Sequence, residues 1–179
     1  IDESYAVLFL QGGATQQFSM VPMNLANHGT VDYLITGAWS KKAAYYATYH
    51  SNINIVSDSS DNKFTDVSDP KNWKQSKDAK YFYYCANETI HGLEIHQIPN
   101  VNVPIVSDMS STLCTRPINI EKYGLIFAGA QKNLGIAGLT IVIVKKDLII
   151  DKAKYLPPLM RFDSHYNEQS MLNTSPVFS

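Results

Sequence analysis

Five places in this sequence carry residues able to do chemistry, and each follows an apolar run. Lys132 lies in Phe127-Ala128-Gly129-Ala130-Gln131-Lys132-Asn133, where small residues leave room for a bulky group beside its amine. The runs 125–128 and 139–144 on either side read as buried strands. An isolated buried ammonium is very costly, so such a lysine needs a partner or a purpose. A lysine amine that has lost its proton forms Schiff bases with aldehydes. The plainer reading is a surface lysine at a strand end. Asp108, in Ser107-Asp108-Met109-Ser110, follows the run 104–106. A carboxylate at the mouth of a buried strand calls for a cation or strong donors. Trp39 follows the run 31–36, and its flat indole suits stacking on a planar ring; it equally suits pinning a helix to a sheet. Thr89 follows the run 81–85 and has a hydroxyl to offer a ligand, although loop threonines more often cap their own backbone. Gln11-Gly12-Gly13-Ala14-Thr15 follows the run 5–10 and opens a helical pattern. Free N–H groups at a helix start form an anion site, most often for phosphate. A tight turn with a threonine cap is the alternative.

The elements that must position these groups can be read from periodicity. With 53–56, the six runs above make seven strands. Phe18, Val21, Leu25 and Ala26 give a helical face after Thr15, and 41–49 gives a second helix. A polar helix is predicted over 145–155 and a short one over 167–172, inside an otherwise irregular 157–179. Residues 57–80 read as an exposed loop with a short helix. Seven strands with helical crossovers between most of them predict an α/β domain built on a mainly parallel sheet. The ten residues 129–138 are short for a parallel crossover, so the seventh strand is expected to run antiparallel.

Composition sets the outer limits. A chain of 179 residues, 45% apolar, is long enough for one domain with a full core. Its net charge of −1 offers no basic field for nucleic acid. No apolar run approaches the roughly 18 residues of a membrane span. The start, Ile1-Asp2-Glu3-Ser4, has no signal-peptide pattern and suggests a beginning inside a longer chain. Cys85 and Cys114 both lie near predicted strands and give no disulfide framework, which points to a reducing, cytoplasmic setting. His91, Glu94 and His96 do not match a metal-ligand spacing, so no metal is expected.

In a parallel sheet the strand ends lie at one edge, so Thr15, Trp39, Thr89, Asp108 and Lys132 can share a pocket. Such a pocket offers a phosphate cradle, a ring platform, a partner for a cationic ring nitrogen and an amine for an aldehyde. Pyridoxal phosphate has all four complementary features. The strings Gln11-Gly12-Gly13-Ala14-Thr15-Gln16-Gln17-Phe18, Thr36-Gly37-Ala38-Trp39-Ser40, Asn87-Glu88-Thr89-Ile90-His91-Gly92, Asp108-Met109-Ser110-Ser111 and Gly129-Ala130-Gln131-Lys132-Asn133 resemble those of the phosphoserine aminotransferases, in that family's order. These are class V, fold-type-I pyridoxal-phosphate enzymes.

The resemblance implies a three-layer αβα large domain spanning 1–179, with the family's N-terminal segment and C-terminal small domain outside this sequence. It implies that Lys132 carries the cofactor as a Schiff base and moves the proton during catalysis. Asp108 would pair with the pyridinium nitrogen, Trp39 would stack on the ring, and Thr89 would bond the ring hydroxyl region. Ala14 (through its N–H), Thr15 and Gln131 would hold the phosphate. Asn173 and Thr174 would reach the cofactor phosphate of a neighbouring subunit in a homodimer. The implied reaction exchanges an amino group between phosphoserine with 2-oxoglutarate and 3-phosphohydroxypyruvate with glutamate. Arg116 and Arg161, the sequence's two arginines, are assigned to no substrate, so this chain alone is expected to be inactive. The competing readings are a cysteine-desulfurase-like enzyme of the same fold type, which needs a reactive cysteine on a mobile loop, a nucleotide-binding α/β module, and a non-catalytic binding domain.

Overall fold

The structure is a computed structural model and describes residues 1–174. Short β-rich runs alternate with two helices through the first third of the chain. These are β1 (Tyr5–Leu10), α1 (Gly13–Leu25), β2 (Thr30–Ile35), α2 (Ala38–Ala47) and β3 (Asn52–Asp58). Then come β4 (Phe82–Cys85), a small hairpin of β5 (Asn87–Glu88) and β6 (Leu93–Glu94), β7 (Ile105–Asp108), β8 (Leu125–Gly129), β9 (Thr140–Lys145) and the short α3 (Phe162–Asn167). Seven strands form one sheet in the order β1-β9-β8-β7-β4-β2-β3. All run the same way except β9, which is antiparallel to both neighbours. The short 129–138 connection leaves no room for a crossover, and β9 folds straight back with Gly129 opposite Thr140.

Every residue of β4, β7 and β8 is buried, as expected for strands covered on both faces. Alternation sorts them. Tyr83, Val106 and Phe127 face one way, against Phe18 of α1, Ala43 of α2 and Phe162 of α3. Phe82, Ile105 and Ile126 face the other way, against Trp73, Ile95, Val103 and Ile118. Three layers result: helices, sheet, and a layer of loops and 3-10 turns.

That third layer corrects part of the sequence reading. Helical crossovers were expected between most strands, but only α1 and α2 serve as such. The segments after β3, β6 and β7 contain Pro70, Pro99, Pro104 and Pro117, which interrupt a helical ladder. They lay single apolar side chains on the sheet instead. Trp73 shows this: it stacks on Phe82 with ring centroids 5.3 Å apart, so the 57–80 loop is partly cover rather than wholly exposed. Two predicted helices also move. The 145–155 helix is a single 3-10 turn, Lys146–Leu148, with Asp151 left-handed beyond it. Its large aliphatic residues, Leu148, Ile149 and Ile150, are consecutive rather than spread at helical spacing. The 167–172 helix lies one turn earlier, as α3, and ends before Gln169 and Ser170, which are left-handed. What fixes it is Phe162, fully buried, whose N–H donates to Asn24 Oδ1 at 2.9 Å. Asn24 Nδ2 in turn donates to the Met160 carbonyl at 2.7 Å.

A two-point ion pair secures the same corner. Arg161 Nε donates to Asp163 Oδ1 at 2.9 Å and Nη2 to Oδ2 at 2.7 Å. Burial alone would raise the Asp163 carboxyl, but the Arg161 bonds and charge, with backbone N–H groups beside it, together hold the group below its usual value. A depressed folded value means stability present above the unfolded carboxylate value, about 3.9, and lost as pH falls through that range. Asp163→Asn is therefore expected to cost about 2 kcal/mol at pH 7 and to flatten the acid limb of a stability–pH curve measured by denaturant unfolding. An unchanged midpoint with an unchanged acid limb would contradict the assignment.

Candidate functional site

The carboxyl edge of the sheet brings the predicted residues together. Ala14 and Thr15 open α1 after β1, Trp39 lies in the first turn of α2 after β2, Thr89 follows β4 through the hairpin, Asp108 ends β7, and Lys132 sits in the turn after β8. A pocket at this edge is lined by Ala14, Thr15, Trp39, Asp108, Gln131 and Lys132, with Gly13, Cys85 and Ser110 among its other walls.

Asp108 forms the pocket's floor. It is only 6% exposed. Its Oδ1 accepts from Ser110 N at 2.9 Å and from Ser110 Oγ at 2.6 Å. Ser110 Oγ also accepts from Gly129 N at 3.0 Å, tying the end of β7 to the end of β8. Among the described residues, Oδ2 takes no donor. Burial pushes the Asp108 carboxyl up, against the Ser110 bonds and the Lys132 charge, and Glu88 adds to the rise. One oxygen is fixed, while the other is open to a cation.

Lys132 stands at the mouth of the pocket. It is exposed, in a turn, and not buried between strands as its sequence context suggested. The chain leaves the sheet at Gly129, so the following residues swing out to the rim. Lys132 Nζ donates to Thr89 Oγ1 at 3.1 Å and lies 5.2 Å from the Trp39 ring centroid. Trp39 Nε1 donates to the same Thr89 oxygen at 3.0 Å. Thr89 therefore accepts twice and keeps its own O–H to donate.

The start of α1 faces the same space. Gly12 and Gly13 are both left-handed, at φ 90° and 67°, a conformation that glycine adopts without strain. The opening N–H groups of α1 lie outside the helix's own ladder, and no acidic side chain competes in its first turn. An anion fits there. A flat indole, an amine, a positive helix end and a buried carboxylate with one free oxygen match the donor and acceptor set of pyridoxal phosphate.

Two expected residues lie elsewhere. Asn173 lines a separate cavity with Leu10, Gln16, Met160 and His165, and the Thr174 carbonyl accepts from Gln11 Nε2 at 3.2 Å. Neither lines the Lys132 pocket. The arginines are also engaged elsewhere, Arg161 with Asp163 and Arg116 with Glu94. No metal-binding group of His, Cys, Asp or Glu occurs among the described residues. The cysteines differ from expectation in part. Cys85 is in β4, and burial pushes its thiol well up. Cys114 is not strand-associated but exposed on the loop after β7, at φ 66°. The β7–β8 connection bends out there rather than staying beside the sheet.

Sequence reasoning missed Ser110 and Glu88. Asp-x-Ser is a local turn pattern and was legible. Glu88, fully buried, bonds the backbone of α2 nearly fifty residues earlier, and no spacing rule reaches that far.

The Asp108 arrangement makes a prediction about stability. A carboxyl raised by folding costs stability as pH rises through its titration, because the unfolded chain then binds fewer protons than the folded one. Cofactor-free Asp108→Asn is expected to be as stable as wild type at pH 7 or more stable, by about 1 kcal/mol, with a flatter slope as pH rises above the unfolded carboxylate value of about 3.9. A large loss of stability in thermal or denaturant unfolding would contradict this.

Comparison with known proteins agrees with the geometry. The description of aminotransferase class V matches residues 1–176. Phosphoserine aminotransferase of Ruthia magnifica is 48% identical over 180 residues, covering all of this chain and 50% of that protein. Among solved structures, phosphoserine aminotransferase from Bacillus circulans superposes with a TM-score of 0.94 at 37% identity, over 99% of this chain and 50% of that one. The pyridoxal-phosphate-bound phosphoserine aminotransferase of Trichomonas vaginalis gives 0.89 at 40% identity, over 99% and 51%. The chain spans about half the length of the curated relatives it matches. With nearly every residue matched and the strand-end groups gathered at one edge of the sheet, the chain belongs to the class-V aminotransferase family.

Proposed function

We propose that residues 1–179 form the cofactor-binding large domain of a phosphoserine aminotransferase that uses pyridoxal phosphate. The observation that carries this reading is the pairing of a buried, half-satisfied Asp108 at the pocket floor with the Lys132 amine at its mouth. Pyridoxal phosphate, when bound, supplies an electron sink that stabilises a carbanion beside the amino group. The residues supply the rest. Lys132 Nζ is the amine for attachment and the basic nitrogen placed to carry a proton at the pocket mouth. Asp108 Oδ2 keeps a ring nitrogen protonated. Trp39 and Thr89 fix the ring's face and its hydroxyl edge. The N–H groups of Ala14 and Thr15, with Gln131, hold the phosphate.

The substrates we assign are phosphoserine with 2-oxoglutarate, and 3-phosphohydroxypyruvate with glutamate. They carry phosphate and carboxylate charges, yet both arginines of this chain are paired internally. Cations from the remainder of the longer protein would clamp them, so this chain alone is expected to hold cofactor but not to transaminate. A homodimer fits the position of Asn173 and Thr174 outside the Lys132 pocket of their own chain. A cytoplasmic setting fits the free cysteines, and no helix among the described residues is long and apolar enough to cross a membrane. The desulfurase alternative gains nothing from the pocket, where Cys85 is held as a buried thiol.

The test is transamination by the full-length protein that contains this chain. Phosphoserine with 2-oxoglutarate is expected to yield glutamate, and Lys132→Ala to remove at least about a thousandfold of the rate, as loss of a covalent group does. Turnover retained by the variant, or none with phosphoserine in wild type, would refute the assignment.

A further inference from the structure

We propose that Glu88 is a positioning residue whose carboxylate clamps the start of α2 to the hairpin and so sets the Trp39–Thr89–Lys132 geometry. The inference rests on the reading of this pocket as a pyridoxal-phosphate site. A helix start leaves N–H groups without partners. At α2 the residue in the capping position is Gly37, which has no side chain to offer. The hairpin caps the helix from across the chain. Trp39 N donates to Glu88 Oε2 and Ser40 N to Glu88 Oε1, both at 2.8 Å. Ala38 N donates to His91 Nδ1 at 3.3 Å. A carboxylate suits this place because the helix start is positive.

Two features give the clamp a role beyond capping. The first is Gly37. A Cβ there would collide with the Glu88 carboxyl, while its φ of 172° is extended backbone open to any residue. Glycine is required for room, not for conformation. The string Thr36-Gly37-Ala38-Trp39-Ser40 and the string Asn87-Glu88-Thr89 are thus two halves of one joint. The second is that Glu88 and Thr89 are consecutive. Glu88 holds the Trp39 backbone and Thr89 holds the Trp39 ring at Nε1. The indole plane is thereby held at its backbone end and at its ring edge. Thr89 Oγ1 also receives Lys132 Nζ, so the amine is placed relative to that plane. Glu88 is anchored in turn, because its carbonyl accepts from Gly92 N at 2.7 Å and His91 N at 3.1 Å.

The experiment compares wild type, Glu88→Gln, Gly37→Ala and the control Asp32→Asn in the full-length protein. Asp32 is likewise a buried carboxylate, bonded to Asn54 and Ser76, and has no part in the pocket. Amide hydrogen exchange is read at Trp39 and Ser40 against amides of β7 and β8. Affinity for pyridoxal phosphate is read by absorbance titration. In Glu88→Gln one oxygen becomes an NH2 group facing an N–H donor. In Gly37→Ala the new methyl displaces the carboxyl. Both are expected to speed exchange at Trp39 and Ser40 about tenfold, to leave β7 and β8 protected, and to weaken cofactor binding about tenfold. Asp32→Asn is expected to change neither readout. Intact protection at Trp39 and Ser40, or lost protection with unchanged affinity, would overturn the clamp. Wild type that binds no pyridoxal phosphate would overturn the cofactor reading itself, which separates the two failures.

Discussion

A nearly buried carboxylate at the end of the middle strand is the constraint around which the domain is arranged. Asp108 closes β7, fourth of seven strands, and is deprived of water at a place where ionisation is costly. The fold offsets that cost only in part. Ser110 gives two hydrogen bonds to one oxygen and leaves the other for something cationic. Such partial satisfaction is poor design for stability and good design for a site. Through the Gly129 N–H to Ser110, the same interaction fixes where β8 ends and therefore where the Lys132 turn begins.

The rest of the edge is built by pairing distant segments rather than by any one motif. The uncapped start of α1, the Trp39 end of α2 and the hairpin come from three separate connections. Parallel strands deliver them to one side. The hairpin then locks the α2 end by supplying the cap that Gly37 lacks. Precision at the pocket mouth thus derives from hydrogen bonds at strand ends, while the sheet supplies only their common edge.

Much of this was legible because it is local. β1 reads off Tyr5–Leu10 directly, and the shortness of 129–138 was enough to reverse β9. The strand-end positions of Lys132, Asp108, Trp39 and Thr89 followed from apolar runs ending in small or polar residues. What was not legible is long-range or aperiodic. The loop layer that covers Phe82 and Ile126 has no repeat to find, so helices were expected where proline-broken segments lie. The shift of α3 depends on Phe162 meeting Asn24, which no window around residue 165 contains. The exposure of Lys132 depends on how the chain turns at Gly129. The role of Glu88 depends on the empty side of Gly37, which appears only when the two strings meet.

The most direct measurement is the chemical identity of the residue that captures the cofactor. Protein incubated with pyridoxal phosphate, reduced with borohydride and digested should yield one modified peptide, carrying the label on Lys132, with no label there in Lys132→Ala. Reduction fixes the imine as a stable amine, so the mass spectrum records which nitrogen formed it. Label spread over the surface lysines, or a single label at another lysine, would contradict the account of this edge as a built cofactor site.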